Sequence, residues 1–262
     1  MRIACCIWAL SGAETDQMRD ARELGFDWID IQPGNLRTLE SRLLAQELGL
    51  RVSCLGATFG MPPGASLDSA DPSTRETAIA HCLSALDHAH EVAAQLAYVV
   101  PGQDRSEAGL TRYGEALWRL AERAAQLDIK LAVEHFPGKA LPTADETLAY
   151  ISALGHPNLY LLYDSGHILL SGEDPATVIF NADDRLGYVH VDDNDGMGDL
   201  HWGLLDGVMT EEALDDTLRA LRDIGYAGAL SLELSPRLPK PGQALQDSRD
   251  MLLRALHRAA WD

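Results

Sequence analysis

The sequence predicts an α/β fold, a single (β/α)8 barrel, and three observations predict it. The chain has 262 residues, close to the roughly 250 that one such barrel uses. Short apolar, β-rich runs alternate with longer amphipathic ones along its whole length, the order expected of parallel βαβ units. No Ser/Gly-rich linker or low-complexity tract interrupts the alternation, so residues 1–262 read as one domain. At this size about three quarters of the unfolded surface can be buried, so neither metal nor disulfide is needed merely to hold the fold.

Each element carries its own signal. The first strand is "RIACCIW", in which adjacent Cys5 and Cys6 must point to opposite faces. The helical run "TDQMRDARELG" follows and stops at Gly25. The second strand, "FDWIDIQ", leads into "LRTLESRLLAQELG", which stops at Gly49. The third and fourth strands, "LRVSCLGA" and "LAYVVP", precede the long helices "TRETAIAHCLSALDHAHEVAAQ" and "GLTRYGEALWRLAERAAQLD". "IKLAVEH" is the fifth strand, and its helix "TADETLAYISALG" stops at Gly155. After the sixth strand, "LYLLYD", the weakest helical pattern is about "DPATVIFNADD", opened by Asp174 with Pro175 in the first turn. "LGYVHVDD" and "ALSLEL" complete the strands, with "TEEALDDTLRALRDIG", stopping at Gly225, and "LQDSRDMLLRALHRA" as the last helices.

Composition excludes several function classes. A net charge of −19 argues against nucleic-acid or anionic-membrane partners, since phosphate binding relies on cationic clusters. The opening "MRIACCIWAL" is too short for a membrane span and reads as a strand rather than a signal peptide. Cys5, Cys6, Cys54 and Cys82 lack ligand or redox spacing and fit free thiols in a reducing cytoplasm. Neither a nucleophile-elbow pattern nor a glycine-rich phosphate loop occurs, and a phosphorylated substrate is not indicated.

Four apolar strands, however, end in metal-ligand residue types: Glu134 after "LAV", Asp164 after "LYLLY", His190 within "GYVHV" and Glu233 within "LSLEL". A carboxylate is costly inside a core unless it is partnered. In a parallel barrel all strand carboxyl ends share one face, where active sites are built. Three oxygen donors and one nitrogen suit one divalent metal ion: Mn²⁺ first, with Mg²⁺, Co²⁺ or Zn²⁺ as alternatives. The bland alternative is four separate surface groups or salt bridges.

At these residues the chain resembles the xylose isomerase-like TIM barrels, within them the sugar phosphate isomerase/epimerase group of ketose 3-epimerases, hydroxypyruvate isomerases and inosose-processing enzymes. The resemblance spans nearly the whole chain and is carried by "VEHFPG", "YDSGH", "HVDDND", "GDLHWGLLDG" and "LELS". It implies that Glu134, Asp164, His190 and Glu233 bind the metal and that His167 contacts substrate. It also implies a substrate-contacting role at His201, although the Pro-Gly-x-Gly turn usual there reads "LLDG". Related barrels often form homodimers or homotetramers.

The expected activity is a metal-dependent sugar isomerase or epimerase acting on a ketose or related polyol ketone. Glu134 and Glu233 would move a proton through a metal-stabilised enediolate. His167 would hydrogen-bond a substrate oxygen or, alternatively, orient Asp164. Asp199 and His201 are substrate contacts or ordinary loop residues, Asp192 and Asp193 supporting or surface groups, and Trp8 a pocket wall or a core residue. His81, His88 and His90 read as surface or packing histidines, and His135 as structural.

Alternatives are a lyase or dehydratase on the same site, a non-catalytic metal-binding partner subunit, and an abasic-DNA hydrolase of the endonuclease IV kind. The last shares a similar Asp-x-His ("DLH"), but the early strand ends here carry no histidine.

Overall fold

In the computed structural model, which describes residues 1–261, the predicted strands pair in parallel and in sequence order. β1 (Arg2–Cys6), β2 (Trp28–Ile31), β3 (Arg51–Gly56), β4 (Leu96–Val99), β5 (Lys130–Glu134), β6 (Leu159–Asp164), β7 (Leu186–Val191) and β8 (Ala229–Leu232) form a closed barrel. Closure is the β1–β8 ladder, with Ala4 opposite Ser231 and Cys5 opposite Leu232. The ring therefore leaves no sheet edge to pair elsewhere.

The helical patterns fold where their caps allow. α1 (Glu14–Glu23), α2 (Leu39–Leu48), α3 (Pro72–Glu91), α4 (Glu107–Gln126) and α5 (Ala144–Leu154) follow the first five strands. Thr38, Asp71, Ser106 and Thr143 each accept a backbone N–H of the first turn of α2 to α5, a contact worth about 1 kcal/mol apiece. Gly49 and Gly155 close α2 and α5 at φ of 70° and 71°, the left-handed geometry that glycine enters without a Cβ penalty.

One helix was not anticipated. α6 (Ser165–Ser171) leaves β6 directly, with Asp164 itself as the N-cap; seven residues are too few to show a helical period. The weak pattern after it is α7 (Pro175–Ala182), capped by Asp174 as expected. α8 (Glu211–Asp223) and α9 (Pro241–Arg258) complete the shell.

Alternation sorts each strand into two cores. Odd-facing residues such as Ile29, Ile31, Leu131, Val133, Leu161 and Val189 pack against Phe26, Ile79, Leu86 and Leu117 of the shell. The other parity fills the barrel itself with Ala4, Cys54, Leu96, Tyr98, Ala132, Leu162, Tyr188 and Ala229. Glu134, Asp164 and His190 continue that inner parity one step up from Ala132, Leu162 and Tyr188. So the register that buries the apolar column also aims these side chains into the barrel mouth. Cys5 and Cys6 split as expected: Cys5 joins the shell core, while Cys6 faces Asp30 and Ser231 inside.

Candidate active site

The four strand-end residues converge. Ligand atoms of Glu134, Asp164, His190 and Glu233 all lie within 4.8 Å of one another, and all four residues are buried. His190 Nδ1 is 2.5 Å from Glu233 Oε2, 3.8 Å from Glu134 Oε1 and 3.8 Å from Asp164 Oδ2. Asp164 Oδ1 accepts the His167 backbone N–H at 2.8 Å, which leaves Oδ2 for the cluster. Asp164 Oδ2, His190 Nδ1 and Glu233 Oε2 are buried without a hydrogen bond of good geometry. Three carboxylates and an imidazole gathered this way would be strongly unfavourable alone. The donor set and its orphaned atoms fit a divalent cation.

Above the cluster is a cavity of about 740 Å³, lined by Trp8, Phe59, Tyr98, Phe136, Glu134 and Glu233 among others, a size suited to a small organic ligand. His167, Asp199 and His201 line it too. His167 Nε2 is 3.3 Å and His201 Nε2 3.1 Å from Asp199 Oδ1. Each ring is fixed from behind: His167 Nδ1 pairs with the His135 carbonyl oxygen at 2.8 Å, and His201 Nδ1 lies 2.8 Å from Asp192 Oδ2. Trp8 is half-buried and packs on Phe59, ring centroids 5.0 Å apart, so it belongs to the cavity wall.

The matches to known proteins follow this geometry. Residues 18–255 match the xylose isomerase-like TIM barrel family. The chain belongs to that family. Among characterised relatives, it is 28% identical over 248 residues to an L-ribulose 3-epimerase of Mesorhizobium japonicum, covering 87% of this chain and 78% of that one. A ketose 3-epimerase of Arthrobacter globiformis is 27% identical over 232 residues, covering 82% and 75%. A solved L-ribulose 3-epimerase structure superposes with a TM-score of 0.84 at 21% identity, covering 98% of this chain and 95% of that one, a likeness of fold.

The loop that carries "LLDG" is held by Asp193. The Asp193 carboxylate accepts the backbone N–H groups of Asn194, Gly207, Val208 and Met209. A Cβ on Gly207 would lie 1.9 Å from the Asn194 carbonyl oxygen, so only glycine permits this approach. His201 sits at φ 48°, a left-handed conformation that costs a non-glycine residue about 1–2 kcal/mol. It is held there by Asp192, Asp199 and a hydrogen bond from the Ser235 N–H to its carbonyl oxygen. The missing Pro and Gly thus do not remove His201 from the site.

Electrostatics distinguish the members of this cluster. Burial pushes the Glu134 carboxyl up, and Glu233 opposite adds to it. Burial also pushes Glu233 up, but the charge and hydrogen bond of His190 outweigh it and leave Glu233 below the usual range. Asp192 is raised to about 7 by burial and by Asp164. Burial works against charge on His167, yet Asp164, Asp199 and Glu134 carry it to about 10.

Asp192 and Asp193 are fully buried rather than surface groups. Asp192 ties β7 to α6 by accepting the Gly166 N–H at 2.9 Å. His135 is structural as expected: it is buried, and Asp164 N–H points at its Nε2 at 3.4 Å. His81 pairs with the Phe59 carbonyl oxygen and His88 with that of Asn35, packing roles in α3. The residue that the sequence reading missed is Asp30, buried below His190. Its signal was available: a carboxylate between Ile29 and Ile31 in a strand buried on both faces.

Proposed function

We propose that the chain is a divalent-metal-dependent sugar epimerase or isomerase, with a ketose or related polyol ketone as substrate. An enzyme of the isomerase/epimerase type is what the matched 3-epimerase relatives support. The observation that carries the finer reading is the convergence of Glu134, Asp164, His190 and Glu233 at the floor of one cavity. These four would hold the metal, Mn²⁺ by preference for its oxygen-rich donor set.

When bound, such a cation supplies Lewis-acid stabilisation of negative charge on the sugar oxygens. The remaining chemistry belongs to side chains. Glu134 and Glu233 enter the cavity from strands separated by β6 and β7. One takes the proton from carbon and the other returns a proton. Return to the same carbon from the opposite face gives an epimer; return to the neighbouring carbon gives an aldose–ketose isomer. His167 and His201, charged and held by Asp199, orient the hydroxyl oxygens and favour negative charge developing there. Trp8, Phe59 and Phe136 cover the carbon skeleton and exclude water.

The four cysteines are free and buried, which supports a reducing cytoplasm as the place of work. Among the described residues no helix is long and apolar enough to cross a membrane. The test is incubation of the Mn²⁺-loaded protein with ketoses and inososes in D₂O, followed by NMR and mass spectrometry. An unchanged skeleton with deuterium at one carbon is expected. Loss of water would mark a dehydratase and overturn the proposal.

A further inference from the structure

Asp30 takes no part in the chemistry above, yet its carboxylate lies inside the barrel beneath the ligand cluster. It is fully buried at the end of β2, where an unpartnered charge would be costly. Its two oxygens are used differently. Oδ1 accepts the hydroxyls of Ser53 at 2.5 Å and Tyr188 at 2.6 Å. Oδ2 lies 3.4 Å from His190 Nε2 and 3.7 Å from Cys6 Sγ. Donors from adjacent β3 and from β7 across the barrel therefore pin one oxygen, while the other faces the imidazole and accepts the Cys6 thiol.

His190 is confined on every side. The rings of Tyr98 and Tyr188 meet it edge-on, with centroids at 5.3 and 5.5 Å and interplanar angles of 86°. Nδ1 faces Glu134, Asp164 and Glu233. Nε2 is buried without a hydrogen bond of good geometry, and the carboxylate beside it is that of Asp30. A neutral imidazole carries one proton, and only the bare nitrogen can ligate. If the proton sits on Nδ1, the cluster loses its nitrogen donor.

We propose that Asp30 is a positioning residue for His190: its carboxylate holds the proton on Nε2 and so keeps Nδ1 bare and aimed at the ligand cluster. Ser53 and Tyr188, by donating to Oδ1, hold the carboxylate turned to do so. Carboxylates behind metal-ligating histidines act in this way generally, and losing one weakens metal binding about tenfold to a hundredfold. This inference rests on the metal reading of the cluster.

The decisive variant is Asp30→Asn. Ser53 and Tyr188 would keep the amide oxygen at the Oδ1 position, turning the NH₂ toward Nε2 and favouring the wrong tautomer. Titration calorimetry with Mn²⁺ alone should give a Kd weaker by about tenfold to a hundredfold than that of the unsubstituted protein. In a His190→Ala background the same substitution should cause no further loss, because the partner it acts through is gone. A lowered melting temperature with Kd unchanged within about twofold would make Asp30 merely structural and overturn the proposal.

Should Asp30→Asn fail to fold, ¹⁵N-histidine NMR of the Zn²⁺-loaded unsubstituted protein decides. A proton on Nε2 of His190 supports the proposal, and a bare Nε2 overturns it. If the unsubstituted protein binds neither metal, the reading of the cluster itself has failed, an outcome distinct from a normal Kd that ignores Asp30.

Discussion

The two halves of the barrel mouth differ in chemistry. β5 to β8 end in Glu134, Asp164, His190 and Glu233, with Asp192 just beyond. On the side of β1, β3 and β4, the cavity is lined instead by Trp8, Phe59, Tyr98 and Val100. One half carries the buried acids and imidazoles; the other is mainly aromatic and aliphatic, with Thr58, Ser66 and Gln103 among it. The asymmetry places reactive groups on one side of a bound molecule and a dry, shape-selecting surface on the other, the arrangement expected of small-molecule sites. Asp30 joins them, an early-strand carboxylate 3.4 Å from the late-strand His190.

The largest effect should come from emptying the late half. Chelation and dialysis should bring turnover to background, measured with whichever ketose the deuterium screen identifies. Restoring Mn²⁺ at about a hundred times its Kd should add about 2.7 kcal/mol of stability, raising the melting temperature by about 5–10 °C. A protein indifferent to chelation would erase the distinction between the halves.

Next are the proposed proton carriers. Glu134→Gln and Glu233→Gln should each lower kcat by about 10²–10⁴-fold while circular dichroism stays unchanged. Activity retained in both would assign the proton transfer elsewhere. Phe59→Ala probes the opposite wall. It should raise KM about tenfold, with a smaller change in kcat, because it removes contact area rather than a reacting group. A kcat collapse there instead would mean that the aromatic side does more than shape the cavity.

The smallest effect sharpens the comparison from outside it. On the shell, Arg258 pairs with Asp215 at 2.7 Å, and that hydrogen bond holds the Asp215 carboxyl below its usual range despite burial. A depressed folded pKa contributes stability above the unfolded value, near 3.9, and loses it as pH falls through the folded value. Arg258→Ala should therefore melt about 2 °C lower at pH 7. The difference should shrink as pH falls below the unfolded value and vanish once it has passed the folded one. Thermal scans from pH 7 down to about 2, with turnover at pH 7 measured alongside, would show whether this pair is independent of the mouth; altered turnover would deny it.

Much of this organisation was legible in the sequence. Strands and helices announce themselves by local period, and Gly49, Gly155 and Asp174 mark their ends by local conformation. The convergent strand-end positions were legible because a carboxylate at the end of an apolar run stands out against its neighbours. Asp30 was not singled out: its meaning depends on Tyr188 and His190, about 160 residues away along the chain and brought alongside only by closure. Asp193 was opaque, since nothing local shows that its carboxylate will gather the N–H groups of residues 207–209.

The sequence by itself determined the order of elements, the inward parity of Ala132–Glu134 and Leu162–Asp164, and which residue types stand at the strand ends. Tertiary structure alone decided which of those groups touch, which nitrogen of His190 faces the acids, and how His201 is held at a strained φ. The physical reason is one of range. Hydrophobic period and capping act over a few residues, whereas distances between strand ends are set by the register and closure of the whole ring.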